Sequence, residues 1–233
     1  MTSPPHPPVT DELIPAATVI LGRDTPKGIE VLMLRRNSTI AFGGAWVFPG
    51  GRVDDVDEGH DVISRARSAA VRESEEETGL DISDQPMGVW SYWAPPAIEQ
   101  MVVSGKRRRF ATWFLVAEAP DAEVAVDMGE IHEHRWLRPL DAIALHRTGE
   151  IELIPPTWIT LTQLSKFSTI GAAVQSTTDT DPPQFVTQAT PGPPVLLVWE
   201  GDVAYGSPED RDAEGPRHRL TVSEDRDWTY ERT

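Results

Sequence analysis

Residues 47–80 read VFPGGRVDDVDEGHDVISRARSAAVRESEEETGL, and the close of that run, Arg72-Glu73-Ser74-Glu75-Glu76-Glu77-Thr78-Gly79-Leu80, decides the reading of the chain. On a helix of 3.6 residues per turn, Glu73, Glu76 and Glu77 stand at i, i+3 and i+4 and share one face. Ala66, Ala69 and Ala70 lie on that face one and two turns earlier, and Glu75 points the other way, to solvent. A stripe that starts as packing therefore ends as a carboxylate cluster, which repels itself unless a cation is present. Oxygen ligands at this density suit a hard divalent ion such as Mg²⁺ or Mn²⁺. Acidic helix faces are more often merely solvated. Here the small apolar turns before the cluster, the adjacent Arg72 and the upstream Phe48-Pro49-Gly50-Gly51 turn favour a site. Arg72 can hold a carboxylate by a two-point pair.

These residues resemble the Nudix hydrolase signature: a Gly, five residues, a Glu, seven residues, then Arg-Glu-U-x-Glu-Glu-x-Gly-U with U aliphatic. Arg72, Glu73, Glu76, Glu77, Gly79 and Leu80 match its second half, and Phe48-Pro49-Gly50-Gly51 its start. The chain departs in spacing: Gly51 to Arg72 is 21 steps against 14 in the standard box, one or two extra helical turns. Counting back from Arg72, the position of the box Glu is Ser64. Asp54, Asp55, Asp57, Glu58 and Asp61 are the acids that could replace it. Ser74 stands where an aliphatic residue is usual.

The resemblance implies an α/β fold, an α/β/α sandwich on a mixed sheet. It also implies metal-dependent hydrolysis of a pyrophosphate joining a nucleoside to another group. Glu76 and Glu77 would be the main metal ligands. Glu73 would be a further ligand or the base that activates water. Arg72 would orient Glu73, and the Gly50 carbonyl could complete the shell. Glu130 and Glu133 are candidates for one more acid beyond the box. His132 and His134 lack the Cys or further His that a zinc site would need.

Three features look like the branch related to coenzyme A and acyl-CoA diphosphatases: the lengthened box, the strand Arg108–Phe114, and Pro155-Pro156-Thr157-Trp158 at the head of a late helix. On that reading Arg107, Arg108 or Arg109 meets a 3′-phosphate. Trp158, Trp93 or Trp113 stacks on adenine or covers an acyl chain. Other substrates fit the same chemistry: ADP-ribose, a nucleotide sugar, a dinucleoside polyphosphate or a nucleoside triphosphate. A ligand sensor that binds without cleaving is a different class, and such proteins usually lose the glutamates kept here.

Composition narrows the field. At 233 residues, the chain can build one core with a small addition. A net charge of −16 disfavours nucleic acid as a partner. The run Lys106–Arg109 stands out against it, either as a solvated hairpin or as an attractor for a polyphosphate. The absence of cysteine rules out disulfides and thiolate metal sites. No apolar run is long enough to cross a bilayer and no secretory signal is read, so a cytoplasmic protein is expected. A homodimer is compatible with the resemblance.

The chain divides into a disordered Pro-rich tail over 1–12, a main domain over 13–175 and a β-rich extension over 176–233 packed on it. Strands are expected at Ala16–Gly22, Gly28–Arg36, Trp46–Phe48, Gly88–Ala94, Arg108–Ala117 and His134–Leu137. Helices are expected at Val62–Thr78, Pro139–His146 and Thr157–Phe167. In the extension, Val195–Glu200 with Val203–Tyr205, and Arg217–Val222 with Trp228–Arg232, read as two hairpins.

Overall fold

The computed structural model describes residues 10–36, 44–96, 102–103, 106–126 and 131–233; residues 10–12, 36, 102–103 and 106–108 are described by backbone alone. Long β-branched and aromatic runs form the centre of one mixed sheet. Strand β1 (Thr10–Thr25) runs parallel to β7 (Lys106–Glu118) along Thr10–Gly22 and then turns back through Thr25 and Gly28 into antiparallel β2 (Gly28–Arg36). Beyond β7 lie β5 (Met87–Ala94) and the edge strand β10 (Gln184–Val186). Beyond β2 lie β3 (Ala45–Val47) and β9 (Glu152–Leu153), while β8 (Ile131–Leu137) also pairs with β2. The short β6 (Val102–Val103) pairs with β7, and β4 (Gly50–Arg52) pairs antiparallel with Ala16–Thr18 of β1.

Strand alternation divides the core in two. Val19, Leu21, Leu32, Leu34, Leu115 and Ala117 face helix α1 (Val62–Thr78), which packs through Ala66, Ala69 and Ala70. Ile20, Val31, Met33, Phe114 and Val116 face the other way, onto α2 (Pro139–Thr148), α3 (Pro155–Leu164) and α4 (Ile170–Gln175). The result is the α/β/α arrangement expected from the sequence.

Helix α1 spans the expected residues because both ends are specified. Asp61 caps its start, accepting from the Ser64 amide while the Ser64 hydroxyl accepts from the Asp61 amide. Gly79, at φ 69°, closes it with a left-handed residue. The Ser64 position thus serves the cap, and the two extra turns lengthen the helix at its N-terminal end.

Two expectations need correcting. Residues 203–205 do not form a strand: β12 (Val195–Val198) pairs instead with β11 (Gln188–Thr190) and β13 (His218–Val222). The Asp202 carboxylate accepts from the Ala204 and His218 amides and pairs with Arg219, which folds the following residues into turns. The second hairpin does form, between β13 and β14 (Thr229–Arg232). In addition, β1 already begins at Thr10, so it takes in residues 10–12 of the segment read as a tail; residues 1–9 lie outside the described residues. Phe185, Trp199 and Leu220 from the last third of the chain join the same core as Trp93 and Phe114.

Candidate active site

Strand β4 and the last turns of α1 meet at the Gly-Gly turn. The Gly50 amide donates to Glu77 Oε2 at 2.9 Å, tying the turn to the helix across 27 residues. Gly50 has φ 153° and lies against the Ala17 carbonyl and Thr18, where a Cβ would collide. At Gly51 a Cβ would run into the Glu73 carboxylate, so the missing side chain is what lets Glu73 sit against the turn. Thr18 Oγ1 donates to the Pro49 carbonyl at 2.6 Å and steadies the same turn from β1.

The packing stripe of α1 does not end where the helical wheel alone suggests. It continues through Ser74, Glu77 and Thr78, all buried, while Glu76 sits at its margin with a side chain 60% exposed. Ser74 replaces the expected aliphatic contact with a hydrogen bond to the Leu80 carbonyl at 2.9 Å. Thr78 Oγ1 donates to the Ser74 carbonyl and accepts from the Leu80 amide. The helix end that carries Glu77 is thus locked by hydroxyls.

Arg72 is the hub. Its Nε and Nη2 donate to the two carboxylate oxygens of Asp57, each at 3.0 Å. Nη1 reaches Glu73 at 2.8 Å and Glu76 at 3.1 Å, and Nη2 also donates to the Arg52 carbonyl. Of the five acids left open by the sequence, Asp57 is the one whose carboxylate pairs with Arg72, and its side chain is only 2% exposed. Burial alone would raise the Asp57 carboxyl. Hydrogen bonds from Arg72 and the Asp54 amide, with the charges of Arg72 and Arg65, outweigh it and hold the group below its ordinary value. Arg72 in turn is kept protonated more firmly, first through its hydrogen bond to Asp57. A forward count would have found this residue: five residues separate Gly51 from Asp57, as the box requires, and the insertion falls wholly after it.

The three glutamates therefore share one end of α1 but turn to different partners, Glu73 and Glu76 to Arg72 and Glu77 to the Gly50 amide. Among the described residues no group of three or more acidic or histidine side chains is gathered closely enough to hold an ion.

The remaining candidates lie elsewhere. Arg107 and Arg108 register beside Asp11 and Glu12 of β1, with side chains outside the described residues. Arg109 donates to the Pro95 carbonyl at 2.8 Å. Trp158 is buried on the face opposite α1, with its ring tilted against Trp228. Trp93 stacks face to face on Phe185, and Trp113 leans on Tyr92. Glu133 pairs with Arg135 and Arg35, and lines a small open cavity of about 230 Å³ with Trp46, Glu150 and Glu152. Glu130 lies outside the described residues.

The chain thus combines a mixed sheet between helices, a Gly-Gly turn against a helix end rich in glutamate, and an arginine binding three acids. The NUDIX domain family model matches residues 13–156, and the chain belongs to that family. It is a pyrophosphohydrolase of nucleotide derivatives. Solved structures agree on the fold. A NUDIX hydrolase from Alicyclobacillus acidocaldarius superposes with a TM-score of 0.61 at 20% identity, over 71% of this chain and 96% of that one. The NUDIX domain of Shewanella oneidensis NrtR, complexed with ADP ribose, superposes with a TM-score of 0.50 at 15% identity, over 66% and 88%. A search of curated protein sequences returns no match. No helix among the described residues is long and apolar enough to cross a membrane.

Proposed function

We propose that the chain hydrolyses the pyrophosphate of CoA or an acyl-CoA, giving 3′,5′-ADP and (acyl-)phosphopantetheine, with Mg²⁺ or Mn²⁺ held by Glu73, Glu76, Glu77 and the Gly50 carbonyl. The observation that carries the chemistry is the Arg72 hub, which fixes Glu73 beside the Gly-Gly turn while Glu77 is moored to the Gly50 amide. The donor set is oxygen only, which suits either ion. To join such a set, Glu76, the most exposed of the three, would have to give up its pair with Arg72. A bound divalent ion supplies positive charge for the phosphate oxygens and acidifies water. Glu73, held by Arg72, serves as ligand or as the base that takes the proton of the attacking water.

The substrate assignment rests on the lengthened box, the Arg107-Arg108-Arg109 run and the Pro155–Trp158 segment. Arg107 and Arg108 are the residues proposed to meet the 3′-phosphate, together with Arg109. Trp158, deep in the core, supports α3 in this reading, and a surface ring for adenine has to come from another residue.

The test is a mass-spectrometric product screen with Mg²⁺ or Mn²⁺, pairing the wild type with Glu77→Gln. The panel holds CoA, an acyl-CoA, ADP-ribose, a nucleotide sugar, a dinucleoside polyphosphate and nucleoside triphosphates. Glutamine keeps an acceptor for the Gly50 amide, so the variant folds. Its turnover is expected to fall by roughly 10²–10³-fold or more, the scale seen when one charge-stabilising group is removed from an active site. Products from CoA in the wild type alone support the assignment. Cleavage of another substrate overturns the CoA reading and leaves the hydrolase. Binding without cleavage of any member favours a sensor.

A further inference from the structure

The inserted turns of α1 carry contacts that the box spacing alone does not demand. Counting forward from Gly51, Asp57 is followed eight positions later by Arg65, and Arg72 stands seven positions beyond Arg65. Two turns of helix are about 7.2 residues, so Arg65 and Arg72 fall on the same face, with Ser68 between them at i+3. All three donate to one loop. Arg65 Nε donates to the Asp57 carbonyl at 3.0 Å and its Nη2 to the Asp54 carbonyl at 2.8 Å. Ser68 Oγ donates to the Glu58 carbonyl at 2.7 Å, and Arg72 Nη2 to the Arg52 carbonyl at 2.9 Å. The loop adds little of its own: the Asp57 amide donates to the Asp54 carbonyl and the Asp54 amide to the Asp57 carboxylate.

We propose that Arg65, carried on the two extra turns, is a positioning residue of the active site, and that it fixes the backbone of residues 54–57 so that Asp57 meets Arg72 at two points. The proposal rests on the hydrolase reading above, in which Arg72 orients Glu73. The chain of contacts is continuous: Arg65 holds the Asp57 carbonyl, the Asp57 carboxylate holds Arg72, and Arg72 holds Glu73 and Glu76. A two-point pair tolerates little displacement of either plane. Without Arg65, two loop carbonyls lose their charged donor, and the Asp57 carboxylate is positioned only by the Asp54 amide of the same loosened loop and by Arg72 itself. Arg72 then keeps Glu73 and Glu76 but loses the anchor that sets its own direction. The Arg65 guanidinium donates to the Asp57 and Asp54 carbonyls, so its effect passes through that loop to Asp57.

The experiment compares wild type with Arg65→Ala, Arg65→Lys and Ser68→Ala by hydrogen exchange, melting temperature and steady-state kinetics. In Arg65→Ala the amides of Asp54 and Asp57 are expected to exchange on the order of tenfold faster, with those of Ala69 to Gly79 unchanged. Turnover falls roughly 10–100-fold, the range for residues that orient metal ligands, while KM stays within about a factor of two. Arg65→Lys recovers a large part of kcat, because an ammonium can still donate to carbonyls, and Ser68→Ala gives a smaller change of the same kind. Unchanged loop exchange in Arg65→Ala overturns the proposal, as does faster exchange along the whole of α1 with a matching drop in melting temperature. Should the wild type cleave no substrate, the hydrolase reading fails, and the exchange pattern still decides whether Arg65 fixes the loop.

Discussion

The two faces of the central sheet are built from different materials. On the α1 side the helix offers three alanines, and the strands meet it with Val19, Leu21, Leu32, Leu34 and Leu115. On the other side large rings interlock: Trp93 on Phe185 at 3.9 Å and nearly parallel, and Trp199 edge-on to both. Alanine contributes little burial, yet it lets a helix lie close to a sheet, which brings the end of α1 within reach of the Gly-Gly turn. Each buried aromatic removes roughly 150–250 Å² from water and contributes most where the neighbours fit it. One face thus sets the position of the helix that carries the glutamates, and the other, with the larger buried rings, is expected to contribute more to stability. Substitutions on the two faces should therefore separate stability from turnover.

The largest loss of stability is expected on the aromatic face. Phe185 comes from the late edge strand β10 and is fully buried between Trp93 and Trp199. Phe185→Ala should cost about 3–5 kcal/mol, read by denaturant unfolding. The folded enzyme should keep kcat within about twofold, since no contact of Phe185 reaches α1. A variant that unfolds normally but loses turnover would erase the distinction between the faces.

Asp57→Asn comes next and acts on the α1 side. Removing one partner of a buried pair typically costs about 3–5 kcal/mol; Arg72 keeps Glu73 and Glu76, so about 2–3 is expected here. The same pair gives a pH signature. The Asp57 carboxyl titrates below 3.8 when folded and near 3.8 when unfolded, so its stabilisation is present above that pH and is lost as pH falls through the folded value. Wild type should lose stability on acidification below about pH 4 more steeply than Asp57→Asn, in which this term is absent. Parallel curves would show that the pair contributes nothing.

Ala69→Leu sharpens the contrast from the other direction. Overpacking costs about 1–3 kcal/mol, less than the loss of Phe185. It should nevertheless lower kcat more, by pushing α1 away from the sheet and its glutamates away from Gly50 and Gly51. Comparison of kcat and unfolding free energy for Ala69→Leu and Phe185→Ala tests both faces at once.

What could be read from the sequence follows the same division between local and distant contacts. Helix α1 was legible to the residue from its alanine stripe and Gly79, which are local signals, while the Asp61 cap that fixes its start was counted only among the candidate acids. Asp57 was narrowed only to one of five acids. The insertion lies between it and Arg72, and the backward count lands on Ser64, which caps the helix. The turn after Trp199 misleads for a different reason. Glu200-Gly201-Asp202 looks like a hairpin loop, but Asp202 is committed to Arg219, 17 residues away, and no spacing rule marks that pair. Helix α4, six residues long, is too short for periodicity to show; only Thr169, whose hydroxyl accepts from the Ala172 amide, hints at a start. The pairing of β10 with β5 joins residues about ninety apart, and strand propensity alone cannot predict it.

Ser74 provides the smallest and most selective test. The position calls for an aliphatic side chain, and a serine buried without a partner would be destabilising. Its hydroxyl instead donates to the Leu80 carbonyl, two residues beyond the end of the helix. Ser74→Ala removes that donor and leaves the Leu80 carbonyl without it, at a cost of about 1 kcal/mol. Ser74→Val restores aliphatic volume but leaves the same carbonyl without its donor. If packing is what the position requires, valine should match or exceed the wild type in unfolding free energy. If the hydroxyl lock is what holds the last turn, both variants should be destabilised alike. Hydrogen exchange should then quicken at Gly79 and Leu80 before it does at Ala69 or Ala70. The second outcome is expected, because Ser74, Thr78 and Leu80 form one closed set of hydrogen bonds beneath Glu77.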